Sequence, residues 1–410
     1  DVLGSRGLGD VYKRQKYKHE ASVIDATGVA LLDSISFPNS KEGCEKLLAL
    51  YRRQGISKDD LLIGMEATGH YWLSVYGYLL DQGFEVKVIN PIQSEAFRRM
   101  YIRQTKNDRK DSFIIAQIMR FGQFSATELA EEAVVALRQL SRYRLALVDT
   151  CGDCKRRIIS LLDQVFPEYN RLFSDTFGAT SKEVLAKYPT PEDLLAVSPE
   201  KLANMLEKVS HGRFGKEKAK QLKAAASTSF GVSFAKQSFA LQIRQLIEQL
   251  EFLEGQIEEL EEQISLLLKQ TESHITTIPG IGDTLGAIIL GEIGDIHRFD
   301  APNKLVAFAG LDVRVSQSGE FIGTRQKISK RGSPYLRRAI WLAASRAAFC
   351  DPILSEYYQS LRARGKHHLT AIGAVSRKLC NIIFAILSEN RLYETVPPRE
   401  IRQTSAPFTM

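Results

Sequence analysis

Apolar and polar residues alternate over short stretches in the first 125 residues, as they do in strands. Residues 20–36 alternate and turn at 26–28, which predicts a β-hairpin. Short apolar runs at 61–65 and 84–89 have the length of buried strands, and residues 41–54 have the spacing of an amphipathic helix. A hairpin followed by strand, helix, strand and helix is the order of a mixed α/β sheet.

The pattern becomes helical from about residue 125 onward. Residues 239–267 are the most regular stretch, with apolar residues spaced four and three apart over about four heptads. These residues are Phe239, Ile243, Leu246, Leu250, Leu253, Ile257, Leu260, Ile264 and Leu267. The spacing predicts a coiled coil through which copies of the chain associate as a homo-oligomer. The alternative is a long amphipathic helix packed within its own chain. Helices are also predicted at 334–350 and 369–388.

These patterns predict several segments after the first fifteen residues. They are an α/β domain at 16–125, a helical region at 126–235, a coiled coil at 236–272, a mostly helical domain at 273–390 and a tail at 391–410. A chain of 410 residues is too long for one simple core, so division into domains is expected.

Charge and cysteine content narrow the class of protein. The 55 lysines and arginines against 48 acids give a net charge of +7, which permits nucleic-acid binding without demonstrating it. Cys151 and Cys154 form a lone CxxC pair with no second pair, so reduced thiols on a helix are expected rather than a zinc site. No charge-free apolar run has transmembrane length and no signal-peptide core is present, so we expect no membrane and a cytoplasmic location.

Three acidic residues are candidates for a metal site. Glu66 ends the apolar strand at 61–65, and Asp108 and Asp111 lie three apart, on one face of a helix. Mg²⁺ prefers a few carboxylates together with water and phosphate oxygens, and two ions about 4 Å apart can assist phosphodiester cleavage. Each acid taken alone has the alternative of a solvated surface residue. Taken together, acids from a strand end and from a helix are the layout of the RNase H-like nuclease fold.

The C-terminal part contains two candidate phosphate-binding features. Residues 278–284 contain Pro-Gly-Ile-Gly and resemble a helix-hairpin-helix, for which a plain helix–helix turn is the alternative. A polar loop at 312–324 is followed by a basic cluster that we predict to contact phosphates, although some of its members could be generic basic surface. The cluster comprises Arg325, Lys327, Lys330, Arg331, Arg337 and Arg338.

Several motifs, in order and spacing, resemble one protein family. The stretches IGMEATGHYW, VINP, KNDRKDS, IPGIGDTLGAIILGEIGD, KLVAFAGLDVRVSQSG and SKRGSPYLRRAIWLAA are similar to the DEDD-type transposases of bacterial insertion sequences. This is the family of insertion sequence one-ten with its eleven-eleven subgroup and the Piv/MooV invertases. The resemblance runs from about residue 16 to 388. It implies an RNase H-like (RuvC-like) N-terminal domain, a helical and coiled-coil middle, and a mostly helical C-terminal transposase domain.

The resemblance also implies roles for individual residues. The family holds Mg²⁺ or Mn²⁺ with four acids, and Glu66, Asp108 and Asp111 match the last three. Ser318, before Gly319, matches a serine that attacks a DNA phosphate and forms a covalent phosphoserine, although spacing alone leaves Ser316 an equal candidate. Double-stranded DNA of the element ends and target, a non-coding guide RNA encoded by the element, and a dimer or tetramer follow as expected partners. The expected location is the bacterial cytoplasm, in association with the nucleoid.

The first acid of the family's four has no match in this sequence. The family's first strand contains Gly-Ile-Asp-x-x-Lys, and if Lys16 is that lysine, the aspartate position is Lys13. Asp10 lies three residues too early, a shift of about 10 Å along a strand. Residues 5–15 back-translate to a sequence resembling a transposon mosaic end and the adjoining library adapter. We therefore expect residues 1–15 to be a sequencing-adapter artefact and the chain as written to bind metal poorly and not to recombine DNA. Residues 9–15 are expected to be able to occupy the vacant strand position.

Two other functions are compatible with the same residues. A hydrolytic RuvC-like junction nuclease would use the acids without Ser318. A defective copy would bind nucleic acid as a scaffold and carry out no chemistry.

Overall fold

The structure is a computed structural model. It describes residues 2–5, 16–67, 70–89, 91–98, 108–122, 126–127, 132–232, 234–313, 317–318, 321–322 and 328–395. The chain divides into two compact units, Asp1–Ala130 and Glu131–Met410, which we call unit 1 and unit 2.

Unit 1 is built around a six-stranded sheet in the order β3-β2-β1-β4-β5-β6. The strands are β1 (Val2–Ser5), β2 (Lys18–Ile24), β3 (Ala30–Pro38), β4 (Leu62–Glu66), β5 (Glu85–Ile89) and β6 (Ala126–Thr127). The described helices are α1 (Lys41–Arg53), α2 (Trp72–Asp81), α3 (Pro91–Arg98) and α4 (Asp108–Phe121). Strands β1, β4 and β5 are parallel, whereas β2 and β6 run antiparallel to their neighbours.

Helices cover both faces of this sheet. One face packs with α1 and α2 in a core that includes Ile63 and Met65, and the other packs with α4. Gly64 lets α4 approach closely, because a Cβ at that position would lie 2.4 Å from the side chain of Met119. The mixed α/β order predicted from the sequence is confirmed. The RNase H-like classification stays a prediction.

The N-terminal strand differs from the expectation. Val2–Ser5 lies between β2 and β4, so the expectation that residues 9–15 occupy this position is wrong. Residues 6–15, which include Asp10 and Lys13, lie outside the described residues. The hairpin at 20–36 is confirmed, with Gly28 in the left-handed region that its turn requires (φ +94°).

Unit 2 is mostly helical. Its longer helices are α5 (Glu132–Val165), α6 (Ala179–Lys187), α7 (Pro191–Ala196), α8 (Pro199–Val209), α9 (Lys216–Ser227), α10 (Lys236–Gln270), α11 (Asp283–Ile293), α12 (Pro302–Phe308), α13 (Pro334–Cys350), α14 (Pro352–Ala363) and α15 (His368–Glu389). Single 3₁₀ turns lie at Tyr169–Arg171, His274–Thr277 and Ile296–Arg298. A short hairpin joins β7 (Gln317–Ser318) to β8 (Phe321–Ile322).

The two long helices α5 and α10 pack against each other as an antiparallel pair. Arg144 Nε donates to Glu261 Oε1 at 2.8 Å, and Lys155 Nζ lies 3.4 Å from Glu254 Oε1 further along the pair. The predicted helix at 239–267 is thus confirmed, and its buried positions face another helix of the same chain. This arrangement is the alternative of a helix packed within its own chain. Association of copies through α10 stays a prediction.

The pair formed by α5 and α10 contributes side chains to two separate hydrophobic cores. One core contains the C-terminal half of α5, the N-terminal half of α10 and helices α6 to α9. The other contains the opposite halves of α5 and α10 together with α11 to α15. A helix of 35 residues is about 50 Å long, so the pair is long enough to serve both cores.

Helices α6 to α9 form a segment whose two ends meet. Val232 N donates to Gln164 O at 2.9 Å, and a Cβ at Gly231 would lie 2.0 Å from Val165 O. Two helices of this segment begin at well-formed N-caps. Thr190 forms a capping box with Asp193, and Ser198 accepts from Lys201 N at 3.2 Å.

The cysteines and the apolar helix α15 have ordinary structural roles. All five cysteines are free, and Cys151 and Cys154 are buried on α5, as expected of reduced thiols. Helix α15 is long and apolar enough to cross a membrane by length and composition. Because 56 % of its apolar window is buried inside the protein, it has the character of a core helix.

Candidate active site

Glu66 lies at the end of β4 and is buried, with 2 % of its surface exposed. Along β4, Ile63 and Met65 belong to the core formed with α1 and α2, whereas Leu62 packs with the core formed by α4. Successive side chains of a strand point to opposite faces, so Glu66 shares the face of Leu62. The glutamate is therefore directed to the side of the sheet that α4 covers.

Asp111 lies in the first turn of α4 and is also buried, with 2 % exposed. Its Oδ1 accepts a hydrogen bond of 2.9 Å from Nη2 of Arg98, a residue of α3 that is buried as well. The same guanidinium donates to Glu95 at 2.9 Å. The sequence did not single out Arg98 from the other nearby arginines, because the pairing depends on how α3 packs against α4.

The start of α4 is attached to the sheet beside this pair. Ser112 Oγ lies 2.7 Å from Ser22 Oγ on β2, and both side chains are buried. Asp108 is the first residue of α4, and its side chain lies outside the part that the structure describes. The structure thus brings Glu66 and Asp111 to one face of the sheet and places Asp108 one turn before Asp111.

The described carboxylates suit a hard divalent cation. Oxygen donors from Glu66 and Asp111 are the ligands that Mg²⁺ and Mn²⁺ prefer. Within the described residues, no three His, Cys, Asp or Glu side chains are grouped closely enough to hold one ion. Strand β1, which lies beside β4, has the sequence Val-Leu-Gly-Ser and so contributes no carboxylate.

Ser318 lies in unit 2, in the hairpin formed by β7 and β8, where it pairs with Phe321. Ser316 lies outside the described residues. The base of this hairpin is fastened at several points. Val313 and Ile328 form a β-bridge, and Ser329 donates to Asp312 through both its backbone N–H, at 2.8 Å, and its hydroxyl.

A buried glutamate on α11, Glu292, connects the segment that follows the hairpin to α5. Glu292 accepts hydrogen bonds from Arg142 at 2.6 and 3.0 Å and from the hydroxyl of Ser333 at 2.8 Å. Ser333 also caps α13 by accepting from Leu336 N. The hydrogen bond to Glu292 raises the pKa of Arg142. The sequence analysis missed this network, although a lone acid in the apolar run Gly-Ala-Ile-Ile-Leu-Gly-Glu-Ile was a signal for it.

The positive charge of a second arginine near this network, Arg298, is less well compensated by nearby acids. The guanidinium of Arg298 lies over the rings of Phe299 and Phe308, at 4.6 and 4.5 Å from their centroids. Burial, and to a lesser degree the charge of Arg138, lowers the pKa of Arg298 to about 10. Arg298 remains protonated at neutral pH and adds positive charge to this part of unit 2.

The members of the basic cluster predicted from the sequence differ in their surroundings. Arg325 and Lys327 lie outside the described residues, and Lys330 and Arg331 are exposed. Arg338 forms an ion pair with Asp149 at 2.9 Å, and Arg337 donates to Ala309 O at 3.3 Å. The last two therefore already have contacts within the protein, whereas Lys330 and Arg331 point to solvent.

The Pro-Gly-Ile-Gly turn is packed against a neighbouring helix. Gly280 has φ +93°, and a Cβ there would lie 2.8 Å from Ala343 O and 2.9 Å from Ala347 N of α13. Only glycine fits this close approach. The turn thus has a packing role, and a phosphate contact at it stays a prediction.

Comparison with known proteins places these features in context. The chain matches two family profiles, one of transposases (DEDD_Tnp_IS110) over residues 15–167 and one described as "Transposase IS116/IS110/IS902 family" over residues 272–359. It is 24 % identical over 93 % of its length to an uncharacterized 43.6 kDa protein of insertion element IS110 from Streptomyces coelicolor, covering 94 % of that protein. It is also 23 % identical to the pilin gene-inverting protein of Moraxella bovis, over 88 % of this chain and 90 % of that protein.

Proposed function

Because the chain belongs to the IS110/IS116/IS902 family of transposases, we propose that it cleaves and exchanges DNA strands of an insertion sequence through a covalent phosphoserine. The observation that carries the chemistry is the placement of Glu66 and Asp111. Both carboxylates are buried on the face of the sheet that α4 covers, within residues matched by the first profile. Two carboxylates directed to one face of a sheet can supply the oxygen ligands that a divalent cation prefers, so their position supports a role in the reaction.

Glu66, Asp108 and Asp111 are the residues proposed to hold Mg²⁺ or Mn²⁺. When bound, the ion would stabilise the negative charge on the oxygens of the phosphate whose phosphorus is attacked. Arg98 Nη2 donates to Oδ1 of Asp111 at 2.9 Å, which orients this carboxylate. Unit 1 has helices on both faces of a sheet with a parallel centre and a hairpin at one side, which supports the RNase H-like (RuvC-like) assignment.

Ser318 is the proposed nucleophile. Its Oγ forms a bond to a DNA phosphorus while the bond to the departing deoxyribose oxygen breaks, so the strand is held on the protein. Attack by the hydroxyl of another strand then restores the serine and joins the new strands. The fastened base of the hairpin, at Asp312 and Ser329, limits the positions that Ser318 can take.

The proposed partners are those of a DNA recombinase. They are double-stranded DNA of the element ends and target, a non-coding guide RNA, and further copies of this chain in a dimer or tetramer. Lys330 and Arg331 are exposed and suited to phosphate contacts, and Arg325 and Lys327 of the same cluster are proposed to make such contacts as well. The proposed location is the bacterial cytoplasm, with the nucleoid.

The test is trapping of the covalent intermediate. The chain with a Gly-Ile-Asp strand restored before Lys16 is incubated with labelled element-end DNA, the flanking RNA and Mn²⁺, then resolved on a denaturing gel. We expect a protein–DNA adduct that is absent in Ser318→Ala and retained in Ser316→Ala. We expect Glu66→Gln to abolish both adduct and cleavage, and the chain without the restored strand to give neither.

A junction nuclease would give a different result. Cleaved DNA without an adduct, unaffected by Ser318→Ala, would replace the phosphoserine mechanism by hydrolysis. Binding of DNA with no cleavage in the restored chain would support a scaffold without catalytic function.

A further inference from the structure

Helices α7, α8 and α9 enclose a groove of about 610 Å³ on unit 2. Three lysines line it, Lys216, Lys220 and Lys223, and we call it the lysine groove. Its floor is apolar, formed by Leu195, Pro199 and Ala224. The groove lies between residues 167 and 272, where neither family profile matches, so none of the proposed site residues belongs to it.

The three lysines share one face of α9 because they lie at positions i, i+4 and i+7. The opposite face, with Ala219, Leu222 and Ala226, is buried. Lys223 Nζ donates to Leu195 O at 3.1 Å and so fastens α7 to α9. Lys216 and Lys220 are exposed, and neither forms an ion pair with any carboxylate in the described part of the chain.

The charge of this segment is high for the size of the protein. Residues 198–227 contain seven lysines and arginines and three glutamates, a net +4 within a chain of net +7. Like charges four residues apart on a helix destabilise it slightly, and positive charge in the first turn of α9 opposes the helix dipole. Lys216 and Lys220 form no ion pair within the described residues that would stabilise the fold, whereas Lys223 donates a hydrogen bond, which indicates that the first two serve an anionic partner.

The apolar floor of the lysine groove limits which kind of anion can fill it. A small phosphate would leave Leu195 and Ala224 uncovered, whereas an unpaired nucleic-acid strand can lay bases on the floor and phosphates on the lysines. Beyond the end of α9, Phe230 is 93 % exposed and Phe234 is 69 % exposed. Both rings follow, in the sequence, a helix that lines the basic groove, and exposed aromatic rings are platforms on which unpaired bases stack. A base-paired duplex hides its base faces and cannot use either feature.

A glutamate in the groove distinguishes RNA from DNA. Glu200 lines the groove with the lysines, and its carboxylate repels phosphates. A ribose 2′-hydroxyl can donate a hydrogen bond to that carboxylate, and deoxyribose has no such group. Ser227, also in the lining, offers a second partner for the same hydroxyl. From this set of groups we infer that the lysine groove binds an unpaired stretch of RNA.

The test measures binding by the full chain, so it does not depend on the recombination mechanism. Fluorescence anisotropy with a labelled unstructured RNA strand, the same sequence as DNA, and duplex DNA is recorded over a series of salt concentrations. The variant Lys216→Gln/Lys220→Gln removes two phosphate contacts. For single strands each contact contributes about 0.7 to the salt slope, so the slope should fall by about 1.4 and RNA should bind about tenfold more weakly at 0.15 M salt.

The matched control is Lys208→Gln/Lys269→Gln. Both lysines are exposed near the ends of helices of unit 2, lie outside the groove and form no ion pair among the described residues. We expect this variant to bind RNA as the parent does. Glu200→Ala should lower the ratio of RNA to DNA affinity, because RNA loses a hydrogen bond and DNA loses a repulsion.

Circular dichroism and melting temperature confirm that each variant is folded before binding is compared. Parental RNA affinity and salt slope in Lys216→Gln/Lys220→Gln would overturn the inference. Equal or tighter binding of single-stranded or duplex DNA by the parent, lost in that variant, would replace RNA by DNA as the occupant. A Glu200→Ala variant with an unchanged RNA to DNA ratio would also contradict it.

Discussion

Removing Arg98 tests the buried ion pair that holds Asp111. In Arg98→Met the apolar stem is kept and the charge is removed, so packing between α3 and α4 changes little. Asp111 then stays buried at 2 % exposure without the guanidinium that donates to it at 2.9 Å. The carboxylate then loses a charge-assisted hydrogen bond while it remains buried.

The expected loss of stability is large. Breaking a buried pair by removing one partner costs about 3–5 kcal/mol, against a total stability of about 5–15 kcal/mol for a domain. For a unit of this size that corresponds to a fall in melting temperature of about 10–20 °C. Asp111→Asn in the Arg98→Met background removes the charge that Arg98 no longer compensates and should return a large part of the loss.

The positions of the tryptophans allow the loss of stability to be assigned to unit 1. The chain has two tryptophans, Trp72 in unit 1 and Trp341 in unit 2. In a Trp341→Phe background, tryptophan fluorescence during urea unfolding reports on unit 1 alone. If Asp111 binds a divalent cation, Mn²⁺ should raise the melting temperature of Arg98→Met by more than that of the parent, because the ion replaces the missing positive charge.

The control is Arg53→Met, which removes an exposed arginine at the end of α1. It should change the free energy of unfolding by less than about 0.5 kcal/mol. A loss below about 1 kcal/mol in Arg98→Met, or no recovery on adding Asp111→Asn, would refute the reasoning that the buried pair fixes this carboxylate.

Three further predictions concern other parts of the molecule. Burial lowers the pKa of His19 below its usual 6.5, so the unfolded state takes up the proton first and the free energy of unfolding should fall as pH drops below about 6.5. His19→Leu should flatten this pH dependence, measured by urea unfolding at several pH values. An unchanged pH dependence in that variant would exclude His19 as its source. Cys350 is the exposed cysteine of five, so native alkylation followed by intact mass should add one label quickly; rapid labelling of Cys380, whose pKa burial raises to about 12, would contradict the buried arrangement. Glu292→Ala removes the acceptor for Arg142 and Ser333 and should destabilise unit 2 by about 1–3 kcal/mol, measured by Trp341 fluorescence in a Trp72→Phe background; unaltered unfolding would mean that the network does not fasten α11 to α5 and α13.

The parts of the fold that sequence predicted are those fixed by local patterns. Helix α13 was predicted at 334–350 and runs from Pro334 to Cys350, because Ser333 caps it and proline follows the cap. The hairpin of β2 and β3 was equally clear from alternation and Gly28. Such signals lie within a few residues of the structure they determine.

The parts that could not be predicted depend on which surfaces meet. The apolar stripe of α10 indicated a helix and its buried face, and it gave no information on whether that face meets α5 or another copy. Glu66 and Asp111 were predicted from the sequence as acids of a metal site, whereas the partner of Asp111 comes from α3, thirteen residues away, and was not predicted. Four arginines near that position, Arg98, Arg99, Arg103 and Arg109, were equivalent in the sequence, and packing alone distinguishes Arg98.

The hydrogen bond between Val232 and Gln164 has a consequence for how this protein can change over evolutionary time. It closes the segment of α6 to α9 where it leaves and rejoins the pair formed by α5 and α10. A segment closed in this way can be gained, lost or exchanged as one block, since a short turn spans the same gap at little entropic cost. The lysine groove can therefore vary independently of Glu66, Asp111 and Ser318, so that the proposed RNA binding and the proposed chemistry on DNA are open to separate selection.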